Sequence, residues 1–154
     1  MPPVVVLDAC ILYPAAQRDL FMWLAAGGAI HAHWTNEIHD EWMRNVEHDY
    51  GVDRSVLDRV RKLMDRAAGD ALIGRYRQHE SLFQKTNTKD RHVAENPDAF
   101  LCRLLSDSPE NAVAAFIRMR DNLRNPPKTT RECADTLAAQ GLKKFAGLIT
   151  AMLD

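Results

Sequence analysis

The sequence has few of the cysteines on which disulfide-rich and zinc-bound proteins depend. Its three cysteines, Cys10, Cys102 and Cys133, stand far apart, and none belongs to a CxxC or CxxH pair. An odd number of widely spaced cysteines argues against a disulfide framework and against a structural zinc site. Free thiols are typical of a reducing compartment, so the sequence predicts a cytoplasmic protein.

Long hydrophobic runs and excess charge are also missing. No stretch approaches the roughly 18 uninterrupted apolar residues of a membrane-spanning helix. The apolar run near the N-terminus follows no basic residues and is interrupted by Asp8, so we expect neither a signal peptide nor a membrane partner. Twenty basic and 21 acidic residues give a formal net charge of −1, which excludes a strongly basic nucleic-acid coat but not a local basic patch.

What remains is the composition of an ordinary globular protein. The 154 residues are 46% hydrophobic and 27% charged, which excludes a disordered or low-complexity chain. A chain of this length corresponds to about one domain, and it can bury a sizeable apolar core without disulfides or metals.

Apolar periodicity predicts an α/β first half. Residues 3–8 read as a strand whose consecutive β-branched side chains predict burial on both faces. A weaker strand is predicted at 29–34, with helices at 15–26 and 35–48 on either side of it. The most regular amphipathic helix is expected at 55–68.

The second half is predicted to be helical from its capping residues. Asn96-Pro97 and Ser108-Pro109 each place a capping residue before a proline suited to the first helical turn. Thr129 and Glu132 have the spacing of a capping box. Four short helices are therefore expected after residue 95.

Three acidic residues are candidates for a metal site. Asp8 ends the predicted strand, Glu41 lies at the edge of a helical apolar face, and Asp90 follows a polar loop. Clustered carboxylates repel unless a cation neutralises them, and Mg²⁺ or Mn²⁺ prefers such oxygen ligands. Each residue also has an ordinary explanation, because Glu41 could be a solvated helix residue and Asp90 a helix cap.

Two other patterns have a functional and an ordinary interpretation. His31 and His33 on one strand face, with His39, could bind a transition metal, although half-exposed strand and helix histidines are the better explanation. The helix at 55–68 has a basic polar face that is either solvated or able to bind a phosphate backbone. That face includes Arg54, Arg59, Arg61, Lys62 and Arg66.

Several stretches resemble, in order, the motifs of a PIN domain. Residues 4–12 (VVVLDACIL) resemble its opening strand, and residues 35–42 (TNEIHDEW) resemble its second motif, a Ser or Thr followed by a helical Glu. Residues 89–94 (KDRHVA) resemble its third motif, an Asp that begins an Ala-rich helix. The tail from residue 96 onward is similar to the helical extension of one branch of PIN-type VapC toxins.

The resemblance implies a Mg²⁺- or Mn²⁺-dependent endoribonuclease that is the toxin of a toxin–antitoxin pair. It makes Asp8, Glu41 and Asp90 metal ligands and Thr35 an accessory polar group beside them. RNA and a cognate antitoxin are the implied partners. The implied phosphate contacts are Arg18, Lys89, Arg91 and His92.

The resemblance also implies a fold: an α/β, PIN-like parallel sheet with flanking helices in residues 1–95, and C-terminal α-helices in residues 96–154. Family members extend the third-motif helix and add a buried strand with a fourth acidic position, whereas here Ala94 leads directly into Glu95 and the tail. The PIN-like domain is therefore expected to be incomplete. The stretch could be deleted, omitted from the sequence, or replaced by elements exchanged within a homodimer.

Two further functions remain open at this point. A catalytically inactive PIN remnant would only bind its antitoxin or another protein, and the missing fourth acid favours it. A non-catalytic RNA-binding module is disfavoured by the charge of −1 and by the lack of an aromatic stacking motif.

Overall fold

The computed structural model describes residues 1–74 and 95–154. Within these ranges the protein is mixed α/β and mostly helical, with eight helices and a two-stranded parallel sheet. The elements in chain order are β1 (Val4–Val6), α1 (Ala9–Leu12), α2 (Ala15–Ala26), β2 (His31–His33), α3 (Asn36–Tyr50), α4 (Arg54–Ala67), α5 (Pro97–Asp107), α6 (Pro109–Asn122), α7 (Thr130–Ala139) and α8 (Lys143–Leu153).

The sheet is small and lies at the start of the fold. Strands β1 and β2 run parallel with Val5 opposite Ala32, and a single parallel bridge joins Trp34 to Leu72. Val4 and Val6 are 70% and 52% exposed, so the prediction of a strand buried on both faces is wrong. The physical reason is that Val4 and Val6, two residues apart, lie on the same face of β1, and the described residues leave that face open to solvent.

Local capping signals place the helix ends as the sequence predicts. The Thr35 side chain accepts a hydrogen bond from the Ile38 amide at the start of α3, and Gly51 ends that helix with a φ of 63°. Thr129 and Glu132 form both hydrogen bonds of a capping box. The four predicted C-terminal helices are confirmed, and prolines occupy the first positions of α5 and α6.

One apolar core runs through both halves of the chain. Trp34 and Trp42 are fully buried in the first half, and Phe116 and Phe145 are buried in the second. Helix α2 packs against α4, α6 and α7. The C-terminal helices therefore complete the core around α2 and hold the elements that precede them.

The three cysteines are free thiols. No helix in residues 1–74 or 95–154 is long and apolar enough to cross a membrane.

Candidate functional site

Asp8 lies directly beyond the sheet and caps a short helix. The backbone of β1 remains paired as far as Leu7, whose amide donates to the His33 carbonyl at 2.9 Å. Asp8 then accepts a hydrogen bond from the Ala9 amide at 2.6 Å and another from the Cys10 thiol at 3.6 Å. Its side chain is exposed, so the carboxylate can bind a ligand while these two contacts hold its orientation.

Glu41 lies on α3 between two fully buried residues, His39 and Trp42. Its own side chain is exposed, as expected for the edge of the apolar face. Burial raises the pKa of the Cys10 thiol, and the negative charges of Asp8 and Glu41 raise that pKa further. Helix α1, which Asp8 caps, packs against α3, so the fold places the two elements that hold these carboxylates against each other.

These two carboxylates supply the hard oxygen donors that Mg²⁺ and Mn²⁺ prefer. Within residues 1–74 and 95–154, no group of three or more His, Cys, Asp or Glu side chains is arranged to hold a metal ion. The third predicted ligand, Asp90, lies outside the described residues, as do the predicted phosphate contacts Lys89, Arg91 and His92. Of the three predicted metal ligands, the structure therefore describes Asp8 and Glu41.

Thr35 and Arg18, also predicted for this site, both make internal hydrogen bonds. Thr35 is buried, and its hydroxyl oxygen is occupied by the cap of α3. Arg18 is half-buried, donates to the Leu12 carbonyl at 2.8 Å, and places its guanidinium carbon 4.5 Å from the centre of the Trp42 ring. Burial lowers the pKa of Arg18, against the opposing effect of Asp19. Its role as a phosphate contact stays a prediction.

A polar network around the buried His39 joins α3 to α4. Trp42 Nε1 donates to His39 Nδ1 at 3.0 Å, and His39 Nε2 is 2.9 Å from Asp65 Oδ1. The same Asp65 oxygen accepts from Trp34 Nε1 at 2.7 Å. Both ring nitrogens of His39 are therefore occupied, which excludes His39 from the transition-metal site suggested with His31 and His33.

Sequence reasoning missed this network because its members come from α3, from α4 and from Trp34, which follows β2. The spacing of His39 and Trp42 on one helical face was a usable signal, since residues three apart on a helix are neighbours. Nothing in the sequence pairs either of them with Asp65 on α4.

Some cations on the basic face of α4 form ion pairs with carboxylates, and others form none within the described residues. Arg54 lies 3.3 Å from Glu47, and Arg61 lies 2.8 Å from Asp40. Three further cations are exposed and form no ion pair within the described residues. Their spacing places them along one side of the helix, and we call them the basic stripe: Arg59, Lys62 and Arg66.

A separate apolar cavity of about 670 Å³ lies between α2, α4, α6 and α7. Its lining includes Trp23, Leu63, Met119 and Leu123, with Arg18 among its polar residues. Neither Asp8 nor Glu41 lines it, so this cavity and the carboxylate pair are different places on the molecule.

Comparison with known protein families gives a match for the second half of the chain. Neither the curated proteins nor the solved structures include a match to this sequence. Residues 97–151, which form α5 to α8, match the family model of the VapC50 C-terminal domain. The C-terminal helices of this protein are therefore similar to the C-terminal domain of a VapC-family toxin.

Proposed function

We propose that this protein is the toxin of a toxin–antitoxin pair and that it cleaves RNA phosphodiesters with the help of Mg²⁺ or Mn²⁺. The observation that carries the proposal is the packing of α1, which Asp8 caps, against α3, which contains Glu41. The match of residues 97–151 to a VapC-type C-terminal domain supports the toxin class. The metal ligands in this proposal are Asp8, Glu41 and Asp90.

In this proposal, residues of the chain hold the metal and orient the RNA backbone. A bound Mg²⁺ or Mn²⁺ supplies a water of lowered pKa and polarises the phosphodiester. The Ala9 amide holds Asp8 at the start of α1, and α1 packs against α3, which contains Glu41. The basic stripe on α4 offers cations to the RNA backbone, together with the proposed contacts Lys89, Arg91 and His92.

The test is cleavage of an RNA oligonucleotide by the full chain with Mn²⁺ or Mg²⁺. Asp8→Asn, Glu41→Gln and Asp90→Asn should each remove cleavage, because each replaces an anionic ligand by a neutral amide. Asp107→Asn is the matched control, since Asp107 is an exposed carboxylate at the end of α5 and should leave cleavage unchanged. Unchanged cleavage by Asp8→Asn would contradict the proposed site.

A second candidate is an inactive PIN-type remnant that only binds its antitoxin or another protein. It is favoured by the missing fourth acidic position, since Ala94 leads directly into Glu95 and the tail in the sequence. Calorimetric titration with Mn²⁺ separates the two functions. The remnant is selected if the chain takes up no Mn²⁺ at millimolar concentration but still binds an antitoxin.

We also propose a homodimer, formed by exchange of elements between two copies. The sheet has two strands in the described ranges, so β1 presents there a backbone edge with which another strand could pair. Light scattering coupled to size-exclusion chromatography measures the mass directly. A strict monomer at all concentrations would contradict the dimer and leave the cleavage proposal untouched.

A further inference from the structure

One arginine touches both of the elements that carry the carboxylate pair. The guanidinium of Arg18, on α2, donates to the carbonyl of Leu12 at 2.8 Å. Leu12 is the last residue of α1, the helix that Asp8 caps at its other end. The same guanidinium lies 4.5 Å from the centre of the ring of Trp42, which follows Glu41 on α3.

The contact at Leu12 restrains the C-terminal end of α1. The last four carbonyls of any helix have no partner within the helix, and Arg18 supplies one for Leu12. Helix α1 has four residues, so it is only about 6 Å long. Holding its last carbonyl therefore also restricts its first turn and the Asp8 side chain that caps it.

The contact at Trp42 is with a ring that is itself held in place. Trp42 is fully buried, and its Nε1 donates to His39, which in turn bonds to Asp65 on α4. Rotation of α3 would break the hydrogen bond between His39 and Asp65, and this loss is unfavourable because it leaves a buried donor without its acceptor. The Trp42 ring is thus a fixed surface against which Arg18 packs. Trp42 follows Glu41 directly in the chain.

We infer that Arg18 is a positioning residue that sets the separation between the Asp8 and Glu41 carboxylates. The inference rests on the proposed function, because it assumes that these two carboxylates act together. Arginine suits this role because its planar guanidinium stacks on an aromatic ring and donates in its plane at the same time. Lysine, a compact point charge, makes one of these contacts well but not both.

The kinetic test compares Arg18→Met and Arg18→Lys with a matched control. Arg103→Met is that control, because Arg103 also lies over an aromatic ring, Phe100 at 5.6 Å, on the C-terminal helices. Arg18→Met should lower kcat for RNA cleavage by about 10- to 100-fold, since small displacements of catalytic groups have effects of that size. The KM of Arg18→Met should differ from that of the wild type by less than a factor of about 3. The kcat of Arg18→Lys should lie between those of Arg18→Met and the wild type. Arg103→Met should have the kcat and KM of the wild type.

Two outcomes of this test would overturn the inference. If Arg18 binds a phosphate, Arg18→Met should raise KM and lower the salt slope of RNA binding by about 0.7, the value for one neutralised phosphate on a single strand. If Arg18 only supports the fold, the variant should melt at a lower temperature while kcat per folded molecule stays unchanged.

An NMR measurement decides the inference even if the wild-type chain cleaves no RNA. Arg18→Met should shift the backbone amide resonances of both Ala9, which bonds to Asp8, and Glu41, whereas Arg103→Met should shift neither. An unmoved Ala9 resonance would show that Arg18 does not hold Asp8. Absence of cleavage in the wild type with shifted Ala9 and Glu41 resonances would instead reject the proposed function and keep the positioning role.

Discussion

Trp42 Nε1 donates a hydrogen bond to His39 Nδ1 at 3.0 Å and thereby fixes the tautomer of a fully buried imidazole. Because Nδ1 accepts, the proton of the neutral ring lies on Nε2, where it is donated to Asp65. A second proton on His39 would remove the acceptor for Trp42. The neutral form of His39 is therefore the one that the fold requires.

This tautomer predicts how stability depends on pH. Burial lowers the pKa of His39, with Asp65 opposing the shift, whereas an unfolded histidine titrates near pH 6.5. As pH falls below about 6.5, the unfolded chain takes up a proton that the folded chain resists, so the free energy of unfolding decreases. Above about pH 6.5 the full contribution of neutral His39 to the free energy of unfolding is present.

Urea unfolding measured from about pH 5 to about pH 8 checks this expectation. His39→Gln should show a shallower fall in stability on the acid side than the wild type, because glutamine does not titrate. If the free energies of unfolding of the two proteins change in parallel with pH, the pH dependence does not come from His39, whatever the difference in absolute stability.

Asp65 should contribute strongly to the stability of the fold. Asp65→Ala leaves the Trp34 Nε1–H and the His39 Nε2–H without their acceptor in the interior. Each unsatisfied buried donor costs about 1–3 kcal/mol, so we expect a loss of about 2–4 kcal/mol in the free energy of unfolding. Asp58→Ala, on the exposed face of the same helix, should change it by less than about 0.5 kcal/mol. Equal effects of the two substitutions would argue against a structural role for the network.

The basic stripe should carry part of the affinity for RNA. Replacing Arg59, Lys62 and Arg66 together by glutamine should weaken binding to single-stranded RNA and lower the salt slope by up to about 2, or about 0.7 for each phosphate that is no longer neutralised. Fluorescence anisotropy in an Asp8→Asn background measures binding without cleavage. Lys143→Gln with Lys144→Gln, at the start of α8, is the control. An unchanged RNA affinity in the triple variant would remove the stripe from the RNA-binding surface.

Asp98 should act as the cap of a helix to which it does not belong. Its two carboxylate oxygens accept from the amides of Lys144 and Phe145 at 3.0 and 2.8 Å, at the start of α8, where the residue in the capping position supplies no side-chain bond. Asp98→Ala should therefore lower stability by about 1–2 kcal/mol. Thermal or urea unfolding measures this loss. The control is Asp107→Ala, which should have little effect because Asp107 is exposed at the other end of α5, the helix that contains Asp98.

Much of the secondary structure could be predicted because its signals are local. Thr35 and Thr129 each cap a helix within three residues of themselves, and the prolines at 97 and 109 stand at helix starts. The strand at residues 3–8 was harder, since β-branched residues favour a strand without showing how many neighbours it has. The structure describes strand β1 as shorter than predicted, and Asp8 as a helix cap.

For the candidate site, the sequence alone determined the residue types and their order: Asp8 after a strand, and Glu41 beside the buried face of a helix. Periodicity shows which side of an element is buried, because helices and strands repeat at fixed spacings. It does not show which side chain of another element fills the space opposite. Only the tertiary structure decided that Asp65 meets His39, that Asp98 caps α8, and that Arg18 lies between Leu12 and Trp42, because such contacts depend on how distant helices pack around a shared core.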